Sequence, residues 1–202
     1  MFQFPSLINI VIVLIPFVIF LLSVIYLAKT YILRREKLTK VATVVFIVVL
    51  LTVIFQIIAS VGLQYYVWSQ DGGMGEYLLP PHQPLSYFLG YSWQHFILSP
   101  VIGVVIASLI VLYFWILNRI FKKQYLDFED MLILASGSMI VGWPGVVVYL
   151  SIAFVLTILR IMYLYYIKKE MQRVPMTAAL IIAIFLTLLI GDRLMQIFQM
   201  AT

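Results

Sequence analysis

Asp127, Glu129 and Asp130 put three carboxylates within four residues, in the stretch Tyr125-Leu126-Asp127-Phe128-Glu129-Asp130-Met131. Crowded like charges raise one another's pKa, and a carboxyl raised in this way becomes a usable general acid. An apolar run starts at Met131, so the same acids also suit a helix N-terminus, where free amide groups and the backbone dipole favour negative charge. Capping accounts well for one or two of these acids and less well for three. Arg160 is the basic residue that falls inside an apolar run. It stands about two turns from the run's end, where a long side chain can snorkel to the surface. The alternative is an ion pair with Asp130 or Glu129, which would hold the acid ionised and oppose general-acid work.

Other chemistry is sparsely provided for. There is no cysteine, which removes disulfides, thiolate metal sites and cysteine nucleophiles together. His82, His95, Asp71 and Glu76 share the segment 67–99 but follow no tight ligand spacing of the kind a metal site needs. No metal and no cofactor is expected. The same segment holds Trp68, Tyr77, Tyr87, Tyr91 and Trp93 with Pro80, Pro81 and Pro84. Aromatic rings of this sort favour the membrane interface, and the segment reads as an extracytoplasmic aromatic loop lying there as a cap.

The elements that position these residues follow from composition. Apolar residues make up 64% of the chain and charged residues 10%, against about a quarter charged in soluble domains. Much of the chain therefore has lipid as its solvent. Runs of spanning character cover Leu7–Leu27, Val41–Tyr66, Pro100–Leu117 and Val146–Ile167, and Val174–Ile190 closes the chain. Met131–Val141 is short and is broken by Gly142-Trp143-Pro144-Gly145. Counting it gives about six helices in one all-α polytopic transmembrane bundle, a single membrane domain over residues 1–202.

Lys29, Arg34, Arg35, Lys37 and Lys40 lie between the first two runs; Arg119, Lys122 and Lys123 follow the third; Lys168, Lys169 and Arg173 follow the fifth. The segment 67–99 has no Lys or Arg. Basic loops stay in the cytoplasm, so 67–99 and both termini face outward, and an even number of spans satisfies that parity. The first run has no basic residue before it and is too long for a signal h-region, so it reads as a permanent helix. Because the basic residues fall between apolar runs, their partner is the lipid bilayer and not nucleic acid.

The second half carries a family resemblance. Asp130 is followed by an apolar helix ending in Gly142-Trp143 with Pro144 next; Lys168-Lys169 precede Val174-Pro175-Met176-Thr177; and Leu188-Leu189-Ile190-Gly191-Asp192 comes near the end. Residues 100–198 resemble the C-terminal half of type IV prepilin peptidases, membrane aspartic proteases of the GxGD kind. In that family a basic loop leads to Gly-x-Gly-Asp and an apolar helix ending in Gly-Trp. The last helix opens on a Pro-Phe-Gly-Pro-like turn. Here Asp127 and Glu129 stand at the positions of the two glycines, and Leu132 where lysine is usual. The resemblance implies a bacterial inner-membrane protein, Asp130 as a catalytic aspartate, and pilin-like membrane substrates.

An aspartic protease needs two carboxyls sharing one proton. The family's other aspartate precedes a Leu-Pro-Asp-like turn, and Asp71 before Leu78-Leu79-Pro80-Pro81 superficially matches it. The distribution of basic residues puts Asp71 on the far side of roughly 30 Å of hydrocarbon from Asp130, where no proton can be shared. Candidate partners on the cytoplasmic side are Asp127 and Glu129, with Glu36 and Glu170 further off. Two functions follow: an aspartic endopeptidase that trims leader peptides at the cytoplasmic face, or a catalytically degenerate homologue acting as a scaffold or helix-binding subunit. A transporter fits least, since the spans have almost no ionisable residues and no repeat.

Overall fold

A computed structural model of the chain describes residues 6–33, 35–70, 75–122, 126–168 and 175–197. Among them there are seven α-helices and no strand: α1 (Ser6–Leu33), α2 (Leu38–Trp68), α3 (Leu85–Ser92), α4 (Leu98–Phe121), α5 (Phe128–Val141), α6 (Gly145–Tyr163) and α7 (Thr177–Ile197). The expected all-α bundle is what forms. Four stretches are long and apolar enough to cross a membrane: Leu14–Leu33, Leu38–Trp68, Leu85–Phe121 and Gly145–Tyr166. Their outward faces stay apolar at mid-helix, with Leu22, Leu51, Phe55, Leu109, Leu112 and Ile158 all exposed. Water would not tolerate so continuous an apolar exterior, and lipid does.

The buried faces show why these helices associate. In α1 the covered side is Pro16, Phe20, Val24 and Leu27, spaced at helical intervals, and α2 answers with Leu38, Ala42, Val45, Val49 and Val53. Ala179, Leu180, Ala183 and Ile184 give α7 the same kind of stripe. Hydroxyls inside the helices are satisfied locally: Thr52 donates to Val48 O, Ser138 to Leu134 O, Thr157 to Ala153 O and Thr187 to Ala183 O. Such i to i−4 bonds let a polar residue sit in an apolar bundle without serving any ligand.

Two features depart from the sequence reading. The third span starts at Leu85, since α3 and α4 join through a π turn at Trp93–Ile97 into one rod of 37 residues. Pro100 cannot donate to the carbonyl four residues before it, and the wider turn just upstream accommodates that loss. Residues 85–97, read as loop, are therefore helical. Trp68 and Phe88 pack edge to face at 5.5 Å, Trp68 and Tyr91 at 4.8 Å, so part of the aromatic segment forms a small core with Leu79 that ties α2 to α3. The second departure is length: α1 and α7 each run past the apolar stretches that announced them, to Leu33 and Ile197.

α5 is the short helix at the centre, packed against α2, α4, α6 and α7. Nine of its 14 residues are buried. Its approach and exit are both tied to α4. Asn118 Nδ2 donates to Leu126 O at 2.9 Å, and Ser99 Oγ donates to Trp143 O at 2.7 Å. Between Ser99 and Asn118, α4 rises roughly 28 Å at 1.5 Å per residue, close to the roughly 30 Å of a hydrocarbon core. The segment from Leu126 to Trp143 thus runs antiparallel to α4 along that stretch of it.

Candidate functional site

The three acids at the start of α5 point to three different places. Asp127 is the N-cap residue: its backbone is extended (φ −72°, ψ 154°) and its carbonyl accepts from Met131 N–H at 3.1 Å, with no capping bond from its side chain. Glu129 faces α2, where its Oε2 accepts from Thr39 Oγ1 at 3.2 Å near the solvent. Asp130 is 2% exposed and faces α7. Adjacent residues on a helix are turned about 100° apart, which is why Glu129 and Asp130 meet different neighbours.

Both oxygens of Asp130 are engaged. Met176 N–H donates to Oδ2 at 3.1 Å, and Thr177 Oγ1 donates to Oδ1. Thr177 is the first residue of α7 and is itself 2% exposed. A helix start has unsatisfied N–H groups and the positive end of the backbone dipole. Asp130 therefore holds the entry to α7, 46 residues away in sequence, through the N–H of the residue before the helix and the hydroxyl of its first residue, and pins α5 to α7. The expected pair between Arg160 and Asp130 or Glu129 is replaced by a main-chain contact. Arg160 Nη1 donates to Pro175 O at 3.1 Å, one residue before the N–H that Asp130 binds. The guanidinium and the carboxylate thus hold the same turn of chain from two helices without touching each other.

The carboxylates that bear electrostatically on Asp130 are Asp127 and Glu129. The bonds that Asp130 accepts, one on each oxygen, come from the turn that opens α7. Asp71 and Glu170 lie outside the described residues, as do Lys123, Tyr125, Lys169 and Arg173. Among the described residues no group of three or more His, Asp or Glu stands together as a metal site. His95 Nδ1 bonds Tyr91 O at 2.9 Å and its ring stacks on Tyr91 at 4.0 Å.

The far end of α5 is built as carefully. Gly142 ends the helix at φ 63°, ψ −172°, a conformation that L side chains rarely adopt. A Cβ there would meet Ser99 Oγ at 3.0 Å. Trp143 N–H donates back to Ser99 Oγ at 3.1 Å, so this serine receives and returns a bond across the Gly-Trp turn. In the middle of α5, Gly137 lets Tyr149 of α6 lie against the backbone, since a Cβ would come within 2.6 Å of its ring and hydroxyl. Tyr149 is fully buried and its hydroxyl has no hydrogen-bond partner among the described residues.

Asp130, Glu129, Asp127 and Arg160 stood out in the sequence as candidates; Thr39, Ser99 and Tyr149 did not, and Thr177 figured only within the turn Val174-Pro175-Met176-Thr177. Thr177 had a signal: a hydroxyl residue just after Pro175 at the start of an apolar run is a helix-entry pattern. Beside the site an apolar groove of about 130 Å³ opens between α2, α4 and α5, with Phe46, Ala107, Phe128, Met131 and Leu132 in its lining. No family model, no curated protein and no solved structure matches this chain.

Proposed function

We propose that this protein is a prepilin-peptidase-like membrane protein of the bacterial inner membrane that binds a pilin-like helix, or supports its assembly, without cutting it. The observation that carries the proposal is the engagement of both Asp130 oxygens by the Met176–Thr177 entry to α7. An aspartic peptidase needs its carboxyl free to share a proton with a second carboxyl and to activate a water between them. Here the carboxylate does the work of a helix cap, and the glycines that would let a substrate approach it are replaced by Asp127 and Glu129. The small apolar groove between α2, α4 and α5 has room for about one apolar side chain of a helix lying against that face.

The active-peptidase reading keeps one observation in its favour. Asp127 and Glu129 lie within electrostatic range of Asp130, so a rearranged site would have a second carboxyl to hand. Co-purification tests the preferred reading: tagged protein and a leader-bearing prepilin are reconstituted together in vesicles, solubilised and captured. Retention of uncut prepilin is the expected result. Prepilin that washes through completely would remove the pilin-like partner from the proposal.

A further inference from the structure

The first basic loop has its charge gathered around a cavity. The last two turns of α1 present Tyr26, Lys29, Thr30 and Leu33 on one face, at i, i+3, i+4 and i+7. Opposite them stand Lys37, the residue just before α2, and Val41 in its first turn, and the six residues line an open cavity of about 260 Å³. The hydroxyl of Thr30 already donates to Tyr26 O at 2.9 Å, so it is a wall and not a free donor. Neither lysine has a carboxylate partner among the described residues, and Glu36 is not part of the lining. Two lysines thus line one small cavity whose other walls are Tyr26, Thr30, Leu33 and Val41.

Size and position both narrow the occupant. The volume is just under the roughly 300 Å³ at which pockets for whole small molecules begin, which suits a charged headgroup fragment. The cavity lies at the cytoplasmic end of α1 by the distribution of basic residues, at the depth where a span meets lipid headgroups. Leu22 and Ile25, 58% and 46% exposed, continue down the same helix as an apolar track for an acyl chain. Basic pockets between membrane helices on this side recognise anionic headgroups. We propose that the Lys29–Lys37 cavity binds a phosphate-bearing anion, supplied by the headgroup of an anionic phospholipid of the cytoplasmic leaflet.

Native mass spectrometry of the full chain in detergent tests this, with diphosphatidylglycerol, phosphatidylglycerol or phosphatidylcholine added. Wild type is expected to retain one anionic lipid and no phosphatidylcholine. Lys29→Gln with Lys37→Gln should retain it about 30-fold more weakly, the factor that two lysines near a membrane surface contribute. Lys122→Gln, a basic residue outside the cavity, should leave retention unchanged. The pair Lys29→Arg and Lys37→Arg should preserve it, which separates loss of charge from loss of fold. Equal retention by the double Gln variant, or an equal fall in Lys122→Gln, overturns the proposal. A separate arm adds inorganic phosphate: displacement of the lipid together with phosphate binding that needs both lysines would overturn the lipid source and leave a soluble phosphate as the ligand.

Discussion

Replacing Asp130 with alanine removes an acceptor that two donors share, the part-buried Met176 N–H and the buried Thr177 hydroxyl. Hydrogen bonds to a charged group contribute about 1.5–3 kcal/mol each, and donors left buried without partners add their own desolvation cost. Removing a desolvated carboxylate returns part of that, so the expected net loss is about 3 kcal/mol. For a chain of this length, about 1 kcal/mol corresponds to 2–4 °C in Tm, so the midpoint should fall by about 6–12 °C. Asp130→Asn keeps one acceptor oxygen and should lose about half as much. Thermal unfolding in detergent, followed by intrinsic tryptophan fluorescence, reads this directly. The decisive control is Thr177→Val, alone and combined with Asp130→Ala. Groups that form one contact are non-additive by about 0.5–3 kcal/mol. A carboxylate kept for catalysis behaves oppositely, because its removal commonly stabilises the fold. A midpoint that stays level or rises, with additive effects for the two changes, would refute the capping role.

Further predictions concern the rest of α5 and the orientation of the chain. Gly142→Ala forces a side chain into a positive-φ conformation and against Ser99 Oγ, and should cost about 1–3 kcal/mol, read by the same unfolding assay. Tyr149→Phe removes a buried hydroxyl without a partner among the described residues, and should leave stability level or raise it by about 1 kcal/mol; a marked fall would show that the hydroxyl is bonded. Because the chain has no cysteine, single substitutions report sidedness cleanly. In right-side-out vesicles His82→Cys should react with a membrane-impermeant maleimide, whereas Lys37→Cys and Lys122→Cys should react only after the vesicles are opened.

The long helices were legible because apolar runs of spanning length announce themselves, and the short run from Met131 was legible as a helix of its own. The helical stretch from Leu85 was not legible, since prolines and aromatics there mimic a loop until Trp68 and Phe88 are seen to pack together. Asp130 was legible as the acid of interest, yet its partner was hidden. Main-chain N–H groups occur at nearly every residue, so nothing in the sequence marks the one at Met176 as the donor. Arg160 illustrates the same blindness, as its partner is the carbonyl of Pro175 and no acidic residue. Side-chain chemistry can be read from residue types, whereas contacts made with backbone wait on the packing of α5, α6 and α7.

Cleavage is the most direct measurement of the central claim. The purified protein and an authentic prepilin peptidase are given the same leader-bearing prepilin in the same vesicles, with the leader's release followed over time by mass. The account predicts release by the control enzyme and none by this chain, with or without Asp130. Release that is abolished in an Asp130→Asn variant whose melting midpoint matches wild type would contradict it, and would return Asp130 to catalysis.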